Sequence, residues 1–213
     1  MKARDVVIRG GRTYRSYIPS KKLNRMIHCE SNLERDAVNL FEFSCAVVKY
    51  QEQPALIHYL QGLETHKYFP DFEVTLTSGE KIHIEIKPAS KLAQPKVFKK
   101  LSAIAEHYKK LPIDFKILTE VQIRKEPLFS NLKLLAKNVR QPKDITGELE
   151  KVKVILGTKE SYSLEKLAQK IELNTCLRLI AKGDLVCNLS EELLSPVNFV
   201  QVVEGDDHAA VLF

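Results

Sequence analysis

Pro70-Asp71-Phe72-Glu73-Val74-Thr75-Leu76-Thr77-Ser78-Gly79-Glu80-Lys81-Ile82-His83-Ile84-Glu85-Ile86-Lys87 reads as two alternating strands joined by a tight turn. Phe72, Val74 and Leu76 are the apolar set of the first strand, and Ile82, Ile84 and Ile86 that of the second. Successive side chains point to opposite faces, so burying both sets on one face fixes which charges meet on the other. The expected pairing sets Phe72 opposite Ile86, Val74 opposite Ile84 and Leu76 opposite Ile82, with Ser78, Gly79 and Glu80 as a bulged loop using positive φ. Asp71 then lies beside Lys87, and Glu73 beside Glu85.

Carboxylates and a lysine gathered on one sheet face suit a divalent-metal phosphodiesterase. Carboxylate oxygens hold Mg²⁺ or Mn²⁺, the ion lowers the pKa of a bound water, and a lysine steadies developing negative charge. The competing reading is a solvated strand face, where Glu and Lys alternate for solubility alone.

The flanks decide between these readings. Pro-Asp followed about a dozen residues later by Glu-x-Lys resembles the PD-(D/E)xK nuclease motif. Glu30-Ser31-x-x-Glu34-Arg35-Asp36, Tyr50-x-Glu52-Gln53-Pro54, Tyr68-x-Pro70-Asp71-Phe72 and Ile84-Glu85-Ile86-Lys87-Pro88 together resemble the TnsA family, the endonuclease subunit of heteromeric DNA transposases, over roughly residues 1–140. The resemblance implies an α/β fold with a restriction-endonuclease-like mixed sheet flanked by helices, in the order helix, three meandering strands, helix, strand.

Upstream, Leu33, Ala37, Leu40, Phe41 and Cys45 recur at threes and fours and predict a helix from Ser31 to about Val48. Ser31-Asn32-Leu33-Glu34 is also a capping box, so Glu34 has two readings from the residues alone: helix cap or active-site acid. The resemblance assigns it the second role. Ala55–Leu60 is expected as the first strand of the meander, with Lys49–Pro54 leading into it. His58, His66 and His83 each stand alone and read as surface or packing histidines.

Downstream, residues 89–94 are expected as a loop and Pro95–Leu111 as an amphipathic helix, with Val97, Leu101, Ile104, Tyr108 and Leu111 inward. Asp114–Leu118 reads as a further strand, and Leu128–Val139 as a helix on the sheet. A linker at 138–147 closes this catalytic domain, taken as 26–140. Beyond it, helical patterns at 147–156, 163–171 and 175–182 precede strand-like 184–189 and 197–203, which predicts a small winged-helix-like domain over 146–213.

Charge divides the same way. Through Arg140 there are 25 Lys and Arg against 15 Asp and Glu, whereas 141–213 holds 8 against 12. A basic domain attracts phosphate backbones by releasing counterions, and an acidic one does not. Residues 1–25 read as a basic arm for nucleic acid, with Arg12, Arg15, Lys21 and Lys22 as expected DNA contacts; Lys91, Lys96 and Lys99 are the expected contacts beside the site. Cys29, Cys45, Cys176 and Cys187 lack metal-ligand spacing and read as reduced thiols. No apolar run is long enough to span a membrane, and the expectation is a bacterial cytoplasmic protein.

The resemblance thus implies a Mg²⁺-dependent endonuclease, with Mn²⁺ as substitute, cutting the 5′-side strand at transposon ends in duplex DNA. Its implied partners are a TnsB-type transposase and, through the C-terminal domain, a TnsC-type ATPase regulator. Glu34, Asp71 and Glu85 would be the acids, the Ile86 carbonyl a further ligand, and Lys87 the catalytic cation, with Glu73 behind them. Some relatives have glutamine where Glu85 stands. A stand-alone repair or restriction nuclease and an inert DNA-binding adaptor are the alternatives.

Overall fold

The computed structural model describes residues 16–139, 147–157 and 161–202, arranged as two compact units. Arg12, Arg15 and residues 140–146 of the expected 138–147 linker lie outside the described residues, and Asn138 and Val139 belong to the end of a helix. In the first unit, β1 (Ser16–Ser20) and β2 (Arg25–Cys29) form a hairpin, followed by α1 (Asn32–Phe43), β3 (Val47–Glu52), β4 (Ile57–Gln61), β5 (Glu64–Tyr68), β6 (Phe72–Leu76) and β7 (Lys81–Ile86). Then come α2 (Ala89–Leu92), α3 (Pro95–Tyr108), β8 (Asp114–Leu118) and α4 (Glu120–Ile123).

The central sheet runs β3-β6-β7-β8, antiparallel except for the parallel β7–β8 pair. This is the mixed sheet expected, with one strand exchanged. The strand beside β6 is 47–52, whereas 57–61 pairs with 64–68 as a separate hairpin. Tyr50 explains the preference: its ring is fully buried and packs on Phe41, which in turn meets Phe72 edge-on. The second hairpin instead turns Tyr59 and Tyr68 onto Leu101, Ile104 and Tyr108 of α3, making a separate aromatic cluster.

The β6–β7 pairing is also corrected. Phe72 lies opposite Ile84, Val74 opposite Ile82 and Glu73 opposite His83, a displacement of two residues from the expected register. The apolar sets remain on one face because the displacement is even. The turn chooses between the registers. Gly79 N–H donates to the Leu76 carbonyl and Leu76 N–H to the Glu80 carbonyl, both at 2.9 Å, closing a three-residue loop Thr77-Ser78-Gly79. Gly79 sits at φ +86°, the left-handed position such a bulged loop requires.

Smaller differences have local causes. Residues 89–92 form α2 inside the expected loop, since Glu120 Oε2 accepts from Ala89 N–H at 2.9 Å at its start. Residues 16–25 belong to the first hairpin and its turn, not to an extended arm. Arg25 is tied to Glu52 by paired bonds of 2.9 and 2.7 Å.

The second unit contains α5 (Leu128–Val139), α6 (Glu148–Leu156), β9 (Tyr162–Ser163), α7 (Leu164–Ile171), α8 (Leu173–Lys182), β10 (Leu185–Val186) and β11 (Phe199–Val202). β11 lies between β10 and β9. The division between units falls after Arg124, earlier than expected, because α5 packs on α8. Buried Asn131 of α5 reinforces that assignment. Its Nδ2 donates to the Leu189 and Glu192 carbonyls at 2.8 and 2.7 Å, and its Oδ1 accepts from Leu194 N–H at 2.7 Å. Asn131→Ala, which strands three backbone groups, is expected to destabilise this unit by about 2–4 kcal/mol in chemical denaturation. A change below experimental error would show that water replaces the amide without loss.

Candidate active site

The even register displacement keeps Asp71, Glu73, Glu85 and Lys87 on one face but changes who meets whom. Extending the ladder by one step brings Asp71 towards Glu85, acid against acid. Lys87 lies one pleat further and reaches back, with Nζ 2.7 Å from Glu85 Oε1 and 3.9 Å from Asp71 Oδ2. At that edge the backbone ladder gives way to a side chain, as Ile86 N–H donates to Asp71 Oδ2 at 2.7 Å. Meanwhile Lys87 N–H donates to the Leu118 carbonyl at 3.0 Å, so β8 anchors the other side of the motif.

Glu34 reaches the same place from α1. Half of the capping box expected from the sequence is present, since Ser31 Oγ accepts from Glu34 N–H at 3.1 Å; the Glu34 carboxylate instead accepts from Ser31 Oγ at 2.9 Å and from Glu30 N–H at 2.8 Å. The same carboxylate lies within the electrostatic reach of Asp71 and Lys87. Cap and active-site neighbour are therefore one residue. The capping bonds hold the acid in place at the start of α1.

Crowding shows in the protonation equilibria. Burial, then the Glu85 charge, pushes the Asp71 carboxyl well above the ordinary range, and Glu34 adds to the push. Glu34 is raised by burial first, with Glu30 contributing and its hydrogen bonds opposing. Burial alone would lower Lys87, but Asp71 and Glu85 outweigh it and hold the ammonium charged. Three acids thus share one lysine, a deficit of positive charge that a hard divalent cation would offset.

Among the described residues, no group of three or more His, Cys, Asp or Glu side chains is spaced to hold a metal ion. The donor chemistry nonetheless fits: all the candidate ligands, including the Ile86 carbonyl 3.4 Å from Lys87 Nζ, are oxygens. Several are engaged by protein donors as they stand.

Two groups behind the site were not visible as functional in the sequence. Tyr68 OH donates to Glu85 Oε2 at 2.6 Å, and Glu85 is only 2% exposed. The only sequence signal for this contact was the place of Tyr68 two residues before the Pro-Asp motif. His83, taken as a packing histidine, is buried with Nδ1 2.6 Å from Tyr108 OH and Nε2 3.2 Å from Glu73 Oε2. Burial holds His83 below its ordinary pKa. Glu73 is consequently committed to His83 and to Lys81, 3.1 Å away, and not to Glu85 as the expected pairing had it. Burial raises Glu73, but those two partners outweigh it and keep the carboxylate ionised.

Tyr68→Phe removes the donor to a buried carboxylate oxygen and is expected to lower stability by about 1–3 kcal/mol. Strand cleavage should fall by about 10- to 100-fold, as for other groups that orient an active-site acid. Unchanged cleavage in a timed nicking assay would remove Tyr68 from the site.

The expected DNA-binding residues divide. Lys91, Lys96 and Lys99 are exposed on α2 and α3, following directly after the Glu-x-Lys motif. Lys21 is exposed as well. Lys22 is a correction: its ammonium donates to the Phe41 and Val47 carbonyls at 2.8 and 2.6 Å, binding the end of α1 to the start of β3. It serves the fold because the Phe41 carbonyl, in the last turn of α1, has no intrahelical partner.

A mixed sheet with an acid after proline and a Glu-x-Lys pair converging at one edge, backed by a helix that supplies another acid, has the arrangement of a PD-(D/E)xK nuclease domain. Residues 44–120 match the family model described as TnsA-like endonuclease N terminal. This stretch is therefore similar to a TnsA-like endonuclease domain, and the match supports the family resemblance carried by the motifs. It spans β3 to the start of α4 and includes Asp71, Glu85 and Lys87; Glu34 lies before it. No curated protein matches the chain. No helix among the described residues is long and apolar enough to cross a membrane.

Proposed function

We propose that this protein is a metal-dependent DNA endonuclease of a transposition machinery, hydrolysing the 5′-side strand at transposon ends alongside a TnsB-type transposase. The observation that carries the reading is the convergence of Asp71 and Glu85 on the Lys87 ammonium, with Glu34 close by. Asp71, Glu85, Glu34 and the Ile86 carbonyl would hold Mg²⁺ or Mn²⁺, which when bound supplies Lewis acidity and a more acidic water. Lys87 remains charged and steadies negative charge on the phosphate under attack. Tyr68 holds Glu85 and Ile86 N–H holds Asp71, so neither acid must be ordered when DNA arrives. Lys91, Lys96 and Lys99 would bind the backbone beside the cut without reading sequence.

After α5, the second unit runs helix, short strand, two helices, two strands, an order that supports reading this part as winged-helix-like. Its α8 is the position that would read DNA in such a domain. Here Thr175 to Ile180 of α8 are all buried, and α5 packs upon it. With the acidic balance of residues 141–213, this favours a protein partner, which the family resemblance makes a TnsC-type ATPase regulator.

The test is an end-cleavage assay with the companion subunits present, mapping each strand at nucleotide resolution with Mg²⁺ and with a chelator. Metal-dependent 5′-side cuts are expected. Cutting of plain duplex by the purified chain alone would favour a stand-alone nuclease, and no cutting under any condition would favour an inert adaptor.

A further inference from the structure

Gln53 carries two features that a merely structural loop residue would shed. Its backbone is left-handed at φ +44°, a region that disfavours side chains, and its amide Oε1 is buried with no hydrogen-bond partner. Both features work against stability, so their persistence marks a place where the fold holds a conformation for another purpose.

The contacts of Gln53 show what that purpose is. Its N–H donates to the Asp71 carbonyl at 2.9 Å, and its Nε2 donates to Glu30 Oε1 at 3.3 Å. Glu30 N–H in turn donates to Glu34 Oε2 at 2.8 Å. An unbroken path therefore runs from the backbone that presents Asp71, through Gln53 and Glu30, to the carboxylate of Glu34. Reversing the amide would set its oxygen against the Glu30 carboxylate, so the orientation with Nε2 on Glu30 follows from charge.

We propose that Gln53 is a positioning residue that sets the placement of Glu34 relative to Asp71, linking the start of α1 to the edge of the sheet. It touches neither substrate nor ion in this role. The proposal rests on the nuclease reading above. The left-handed backbone brings the side chain back towards Glu30 while the N–H still reaches Asp71, two demands that an extended residue at the end of β3 would not meet together. Glu30 is thereby a link in the path and not a further ligand.

Gln53→Gly separates this role from a stabilising one, because glycine accepts positive φ, keeps the N–H bond to Asp71 and removes only the amide link. The expected result is end cleavage slowed by about tenfold or more and Mn²⁺ affinity of the full-length chain weakened several-fold, with Tm unchanged or raised. Cleavage equal to the parent's, unchanged Mn²⁺ affinity, or a lowered Tm overturns the positioning role. Asp71→Asn run in parallel distinguishes the two levels. If that variant cleaves like the parent, the nuclease reading fails and the positioning role falls with it. If it is inactive beside a fully active Gln53→Gly, only the positioning role is lost.

Discussion

Asp71→Asn is expected to abolish strand cleavage, by at least about a thousandfold, while making the protein more resistant to heat at neutral pH. The two effects have one origin. Asp71 is partly buried beside Glu85, with Glu34 near, and its folded-state pKa lies well above the ordinary value. Below the ordinary carboxyl pKa both folded and unfolded chains carry the proton, and the group contributes nothing to the pH dependence. As pH rises through that value, the unfolded chain releases its proton first, so stability declines until the raised folded pKa is passed. Asparagine has no charge to desolvate, and its amide oxygen can still accept from Ile86 N–H. The Tm gain of the variant should therefore be present at pH 7 and vanish in acid. Mn²⁺ should raise the Tm of the parent, since the ion binds the folded chain, and should not raise that of Asp71→Asn. A variant that is less stable than the parent at pH 7 would show that the acids are not in conflict. Retained cleavage would end the assignment of Asp71 as a catalytic acid.

Lys87→Met should separate catalysis from metal binding. The ammonium lies between Glu85 and Asp71, where it both neutralises them and repels a second cation. Without it, cleavage should fall by about 100- to 1,000-fold, since charge on the attacked phosphate is no longer stabilised. Mn²⁺ affinity should be retained or increased. The loss of the ion pair leaves Glu85 buried and unpaired. The expected destabilisation is about 2 kcal/mol, less than for a wholly buried pair because the Lys87 side chain is 34% exposed. Added Mn²⁺ should recover part of it. Loss of Mn²⁺ binding together with cleavage would mean that Lys87 organises the acids and does not act on the phosphate.

These expectations depend on which residues meet at the sheet edge, and that was only partly readable from the chain. The alternation in 72–76 and 82–86 placed Asp71, Glu85 and Lys87 on one face, and no register displaced by an even number could alter it. Alternation could not choose among such registers. The turn at Gly79 did, turning an expected Asp71–Lys87 pairing into a contact of acid with acid and giving Glu73 to His83. Glu34 was legible as a cap and, by resemblance, as an acid; its two roles coexist because the capping bonds fix a carboxylate that also lies near Lys87.

Local pattern likewise could not say that Tyr50, and not the strand-like 55–60, belongs beside β6. Both stretches suit a strand, and the choice was made by packing of Phe41, Tyr50 and Phe72 across more than thirty positions. Helix periodicity located α5, but its assignment to the second unit required Asn131 to find the 189–194 backbone. By itself, then, the sequence determined the periodic elements, the face on which the charges collect and the identity of the reactive groups, because these follow from neighbours two to four residues apart. Tertiary structure alone decided the register, the strand order, the unit boundary and the Gln53 link, because each is a competition between contacts distant in the chain.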